Sequence, residues 1–140
     1  MPGITQAYRK KLLDALFNKA ALVAPTIYVG LSTTAPASDG SNITEPAEGG
    51  YAREATAAGD WNACTTADPS EINNANAITM DAATADWAAG ADIGYFFLAD
   101  AAEAGVIIAA GVLDQAKPFL SGDTPQFVAG ALKARLSWTA

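Results

Sequence analysis

The side chains here that could support acid–base, nucleophilic or metal chemistry are fifteen carboxylates and one thiol, Cys64; there is no histidine. Nucleophilic catalysis by a Ser/His/Asp or Cys/His constellation needs an imidazole, so it is excluded. Zinc held by mixed Cys/His ligands fails for the same reason. Neither a GxxxxGK[ST] phosphate loop nor a GxGxxG turn occurs. Two carboxylates are enough for glycoside hydrolysis, so that class stays open, although no acidic pair is marked by its context. Asp39, Asn42 and Glu45 lie close together and are of the types that ligate calcium, but EF-hand spacing is missing. The simpler reading of these acids is a solvated loop. No catalytic, metal or cofactor site is expected, and the chain is read as a binding or structural protein rather than an enzyme.

Further positions draw notice. Arg53 is the one cation between Lys19 and Lys117, and it is expected to pair with a carboxylate or with carbonyls in a structural role. Trp61, Trp87 and Trp138 read as core or interface anchors, with an exposed sugar-stacking platform as the alternative. Cys64 sits in a polar loop, and a single cysteine cannot form an intrachain disulfide. The Asn42-Ile43-Thr44 sequon matters only in a protein secreted by a eukaryote.

Charge narrows the partners. The net charge is −7, but residues 1–24 carry four basic side chains against Asp14 alone. The remaining chain carries four basic and fourteen acidic side chains. So acidic a body disfavours nucleic acid, whose phosphates require clustered Lys and Arg. Charged residues make up 16% of the chain, against about 25% in an average domain. Burial of surface against other subunits and a compositional bias toward Ala, Thr and Ser both account for that. No run reaches the ~20 apolar residues of a membrane span, and the N-terminus does not read as a signal peptide. Synthesis and folding in the cytoplasm are therefore expected.

The elements that must position these residues are mostly strands. Residues 5–22 predict the one helix, with Thr5 as N-cap and Pro25 beyond its end. Tyr8, Leu12 and Leu16, with Leu13 and Phe17, form an apolar stripe expected to pack on the body or on a neighbouring subunit. TIYVGLS at 26–32 alternates as a half-buried strand. Residues 33–50 form a long loop with Ile43 as its large apolar side chain. Extended segments follow at 51–57, 78–80, 93–99, 106–113 and 131–138, with Gly111 marking a bulge or close approach. The stretch 58–77 reads as polar turns. The predicted fold is mainly β, an antiparallel sandwich or flattened barrel of six to eight strands with one N-terminal amphipathic helix. Residues 1–24 form the helical segment and 25–140 a single β-sandwich domain.

Four segments in order carry a resemblance: YVGLSTTAP at 28–36, GGYARE at 49–54, ITMDAATADW at 78–87 and GDTPQFVAGAL at 122–132. They resemble the small virion proteins of tailed bacteriophages usually labelled phage tail fibre proteins. The order matches over about residues 8–136. In place of the glycine that usually follows the Asp-Trp corner stands Ala88, and the turn at 101–104 is unusually rich in alanine.

The resemblance implies a non-enzymatic virion structural protein, made in the bacterial host cytoplasm. Its partners would be other virion proteins, capsid or tail, with no nucleic acid and no membrane. A homo-oligomer is implied, a trimer first. The sequence lacks the repeats of a fibre shaft, which favours a capsid decoration or cement protein; a small tail or tail-fibre component contacting the host surface is the alternative. Tyr8, Leu12, Leu13, Leu16, Phe17 and Ile43 are the candidate interface residues.

Overall fold

Aromatic and branched residues in IGYFFLA, with no charge among them, form strand β6 (Ile93–Ala99), almost wholly buried. The computed structural model describes residues 3–138 and has β6 near the middle of a seven-stranded sheet. Its other strands are β1 (Gly3–Ile4), β2 (Tyr28–Ser32), β3 (Glu54–Ala55), β4 (Ser70–Asn73), β7 (Ile107–Lys117) and β9 (Lys133–Leu136). The order across the sheet is β3-β2-β6-β7-β1-β9-β4. Pairing is antiparallel except between β1 and β9. A two-stranded ribbon, β5 (Ile78–Thr79) with β8 (Gln126–Phe127), completes the β structure. The fold is mainly β, a curled half-barrel sheet with one N-terminal helix, α1 (Gln6–Leu16).

The core fills the concave side. Val29 and Leu31 of β2 stand opposite Leu98 and Phe96 of β6, and all four are buried. Ile78, Met80, Trp87, Phe119 and Leu132 close the cluster, and Phe127 meets Phe96 edge-on at 6.1 Å. Sheet pairing puts Phe97 on the opposite face, over Gly30; a β-carbon at Gly30 would lie 2.2 Å from the Phe97 ring. Gly30 is therefore the space into which that ring folds.

Several boundaries differ from expectation. The helix ends at Leu16 rather than at residue 22, because Asn18 takes a left-handed conformation (φ 58°). Its N–H and that of Lys19 return to the Ala15 and Asp14 carbonyls, closing the helix in the manner of a C-cap motif. Thr5 precedes the helix, but its hydroxyl donates to the Ile107 carbonyl rather than capping the helix. Strands β1, β4 and β8 lie where the sequence predicts no strand. Strand β7 runs on to Lys117 and is bulged twice, near Ile108 and between Val112 and Lys117. Gly111 itself pairs in regular register with Phe96. Because β1 lies between β7 and β9, Gly3 and Ile4 belong to the same sheet as the body.

Candidate assembly surface

The motif segments meet inside the molecule. Arg53 donates from Nε and Nη2 to the two Glu45 carboxylate oxygens at 3.0 and 2.7 Å. Its Nη1 reaches the Ala101 and Ala104 carbonyls, and its guanidinium stacks 5.0 Å from the Phe97 ring centre. It ties the long loop to the β6–β7 turn and covers the outer aromatic of the sheet. Hydrogen bonding to Glu45 raises its already high pKa. Tyr51 donates to Glu45 and accepts from the Leu31 N–H; burial foremost pushes its phenol up. The Tyr51 ring meets Trp87 edge-on at 5.2 Å.

Trp87 is fully buried and donates from its indole to the Gly49 carbonyl. Gly49 has φ 68°, and a β-carbon there would fall 2.5 Å from the Ala85 carbonyl oxygen. The Gly-Gly of GGYARE is thus where chain and corner touch. Trp61 is half-buried, packs against the core and donates to Thr56. Trp138, in contrast, is 77% exposed. The alternation Leu132, Ala134, Leu136, Trp138 holds its buried face only as far as Ala134, since β9 ends at Leu136.

The oxygen-rich loop residues are engaged separately. Asp39 accepts from the Ser41 N–H and hydroxyl, bonds that hold its carboxyl below the usual range. Asn42 donates to the Ala35 carbonyl, and Glu45 serves Arg53. Ile43 is half-buried, and Cys64 is exposed.

The helix presents a different surface. It is anchored at its first turns: the Thr5 N–H and hydroxyl bind the Ile108 and Ile107 carbonyls. Tyr8 is buried and its hydroxyl donates to Asp100 at 2.8 Å; burial, then that hydrogen bond, raises its pKa. Lys11 sits over the Tyr8 ring and 3.5 Å from Asp100. Burial acts to raise the Asp100 carboxyl, but bonds from the Val106 N–H, Tyr8 and Lys11 outweigh it, and the net shift is downward.

Past that anchor the stripe leaves the body. Leu12 is 38% exposed, Leu13 57%, Leu16 77% and Phe17 68%. Leu22 and Val23, in the segment after the helix, are also exposed. Of the six candidate interface residues, Tyr8 is therefore core and Ile43 half-buried, while the remaining four stand together in solvent. The structure adds a feature that the sequence does not signal. A groove of about 380 Å³ opens along the far half of β7, with a mixed lining in which Phe96, Val112 and Phe127 stand beside Asp114, Lys117 and Gln126. Val112 and Val128 are exposed on it. The bulge past Val112 shifts strand phase there, so alternation alone does not reveal it.

Leu13, Leu16 and Phe17 stand in water, while Tyr51, Arg53 and Trp87 of the motif segments are engaged internally, and exposed apolar side chains grouped in this way mark a contact surface. Comparison with curated proteins gives no match. Residues 3–135 match the family described as "Podophage GP4 fiber I protein gp80". A match over nearly the whole length, on a mainly β fold with the expected helix, shows that this chain belongs to that family of phage fibre structural proteins.

Proposed function

We propose that this chain is a non-enzymatic subunit of the fibre apparatus of a podophage virion, joined to its neighbours through the exposed end of α1. One observation carries the reading: Tyr51, Arg53 and Trp87 of the motif segments are engaged in internal contacts, while Leu13 and Leu16 on one short helix and Phe17 at its end are more than half exposed. Family membership supplies the virion setting. The protein is made in the bacterial host and acts in the particle, with other virion proteins as partners. Loop 33–50, folded on the body through Arg53 and Glu45, is a subsidiary contact at most.

The double substitution Leu13→Asp with Phe17→Asp tests it. Incorporation into particles should fall by at least about tenfold, since two charges must then be buried at the contact. Thermal stability should hold within ~0.5 kcal/mol, because both sites face water. Parental incorporation of the folded double variant would remove α1 as the dock.

A second reading, capsid decoration, draws on the low charged fraction of 16%, which suits packing on a lattice. Copy number per virion, by quantitative mass spectrometry against the major capsid protein, separates the two. A few to a few tens of copies means fibre. Hundreds, in fixed ratio to the capsid subunit, means decoration.

A further inference from the structure

Strand β1 and helix α1 form an arm with a seat made for it. Gly3 pairs with Ala110 and Arg135, and Ile4 with Ala109. Thr5 bonds the Ile107 and Ile108 carbonyls, and Tyr8 and Lys11 meet Asp100. These contacts fall on the start of β7 and its two flanks.

The tether behind the arm is held by nothing comparable. Leu16 through Ala24 are nine consecutive exposed residues. The N–H groups of residues 17–20 turn back onto the helix, and no backbone hydrogen bond among the described residues ties 17–26 to the body. The body takes over at Ile27, which packs on the core and whose carbonyl receives the Thr56 N–H. Flexible tethers are rich in Gly and Ser, and stiff ones in Pro. This one reads LFNKAALVA: seven of nine residues are apolar, and Lys19 is its one charge. Leu16, Phe17 and Val23 are each more than two-thirds exposed.

Such an arm has two ways to dock, on its own body, as in the structure, or on a neighbour's. The seat contacts are the same in both, so the tether decides. Residues 17–26 fully extended span on the order of 33 Å, about the diameter of a small domain, so a neighbour's seat is within reach. In an exchange each tether crosses from its own body to the next, which brings the tethers of the exchanging copies together. Leu16, Phe17, Leu22 and Val23 then cover one another, whereas docking within one chain leaves them in water.

We propose that β1 and α1 of one copy of this chain seat on β7 and β9 of a second copy, an exchange of arms between subunits. This deepens the fibre-subunit reading, on which it rests for its setting, by naming a second copy as the neighbour. Exchange of an identical element is a low-cost route to closed oligomers. Reciprocal between two copies it gives a dimer, and passed around three it gives a trimer.

The test traps the seat. Ile4 lies opposite Ala109, and the bond from the Thr5 N–H to the Ile108 carbonyl makes theirs the closely spaced, non-hydrogen-bonded kind of pair, within disulfide reach. The full chain carries Ile4→Cys with Ala109→Cys, and Cys64→Ser because Cys64 is exposed. It is oxidised and run on a denaturing gel without reductant, with circular dichroism confirming the fold and light scattering giving the native mass. Exchange predicts a native oligomer whose chains are linked to one another and part on reduction. If the buried cysteines unfold the chain, Gly3→Cys with Ala110→Cys, the next pair along, replaces them. Leu22→Asp with Val23→Asp, added in the tether, should shift the linkage about tenfold toward a bond within one chain. A link inside single chains in the parent, a native monomer, or a ratio that the tether aspartates leave unchanged overturns the proposal. Particle incorporation is scored separately: a chain linked only to itself that still enters virions through α1 sinks the exchange and leaves the fibre reading intact.

Discussion

Arg53 shows how much one side chain can hold. Four hydrogen bonds and an aromatic stack converge on a guanidinium whose side chain is 6% exposed. Lysine keeps the charge but not the planar fork. Arg53→Lys should therefore lower unfolding free energy by about 1–2 kcal/mol, the scale of lost hydrogen bonds with the charge retained, read as a shift in the urea midpoint. Ala88 offers the opposite sign. It sits at φ 52° in a left-handed run with Ala89 and Gly90, at the position where the family pattern carries glycine. Ala88→Gly should stabilise by about 1 kcal/mol, seen as a rise in Tm. The kinds of partner Arg53 takes were legible because it is a lone cation in acidic sequence. Which carboxylate it takes was not, since Glu45 and the Ala101 and Ala104 carbonyls come together only in three dimensions. Trp87 and Trp138 look alike in sequence; the first is core because the Gly49 carbonyl and the Tyr51 and Phe119 rings enclose it, and the second is exposed because it lies past the end of β9.

At the scale of elements, α1 depends on a carboxylate 92 residues from Tyr8. The fold holds the Asp100 carboxyl below its ordinary value, so the ionised form favours the folded state. That contribution is complete above the unfolded value, about 3.9, and is lost as pH falls through the lowered folded one. Asp100→Asn should lower Tm at pH 7, and the gap to the parent should narrow as the parent loses this contribution below about pH 4. A constant gap from pH 7 to 2 would show that charge at Asp100 does not hold the helix. Periodicity located α1 correctly but could not fix its end, because Asn18 stops it through a backbone conformation that composition only weakly signals. It also could not say that the stripe faces outward. A helix packed on its own body and one packed on a neighbour show the same pattern.

For the whole molecule, strand-rich order, turn residues and the absence of crossover helices were enough to read a mainly β fold. The two-residue strands β1, β3, β5 and β8 are too short to show alternation. They exist because longer neighbours offer them ladder partners. The same holds for β4, whose polar SEIN pairs with β9 and lies in a stretch that reads as turns. The apolar stripe of the helix was legible, while the groove forms only where β7, β8 and Phe119 meet.

The place of β1 sets a timetable for synthesis. Gly3 pairs with Ala110 and Arg135, and Thr5 with Ile107 and Ile108, so β1 and the start of α1 find their partners far later in the chain. Closing a loop of that length is slow relative to local pairing, and it leaves the helix untethered on the ribosome until β7 has emerged. The helix thus takes its fixed orientation only once β7 has been made. Nascent or prematurely terminated chains ending before Asp100 cannot present that surface and should be found in the lysate but not in assembled particles.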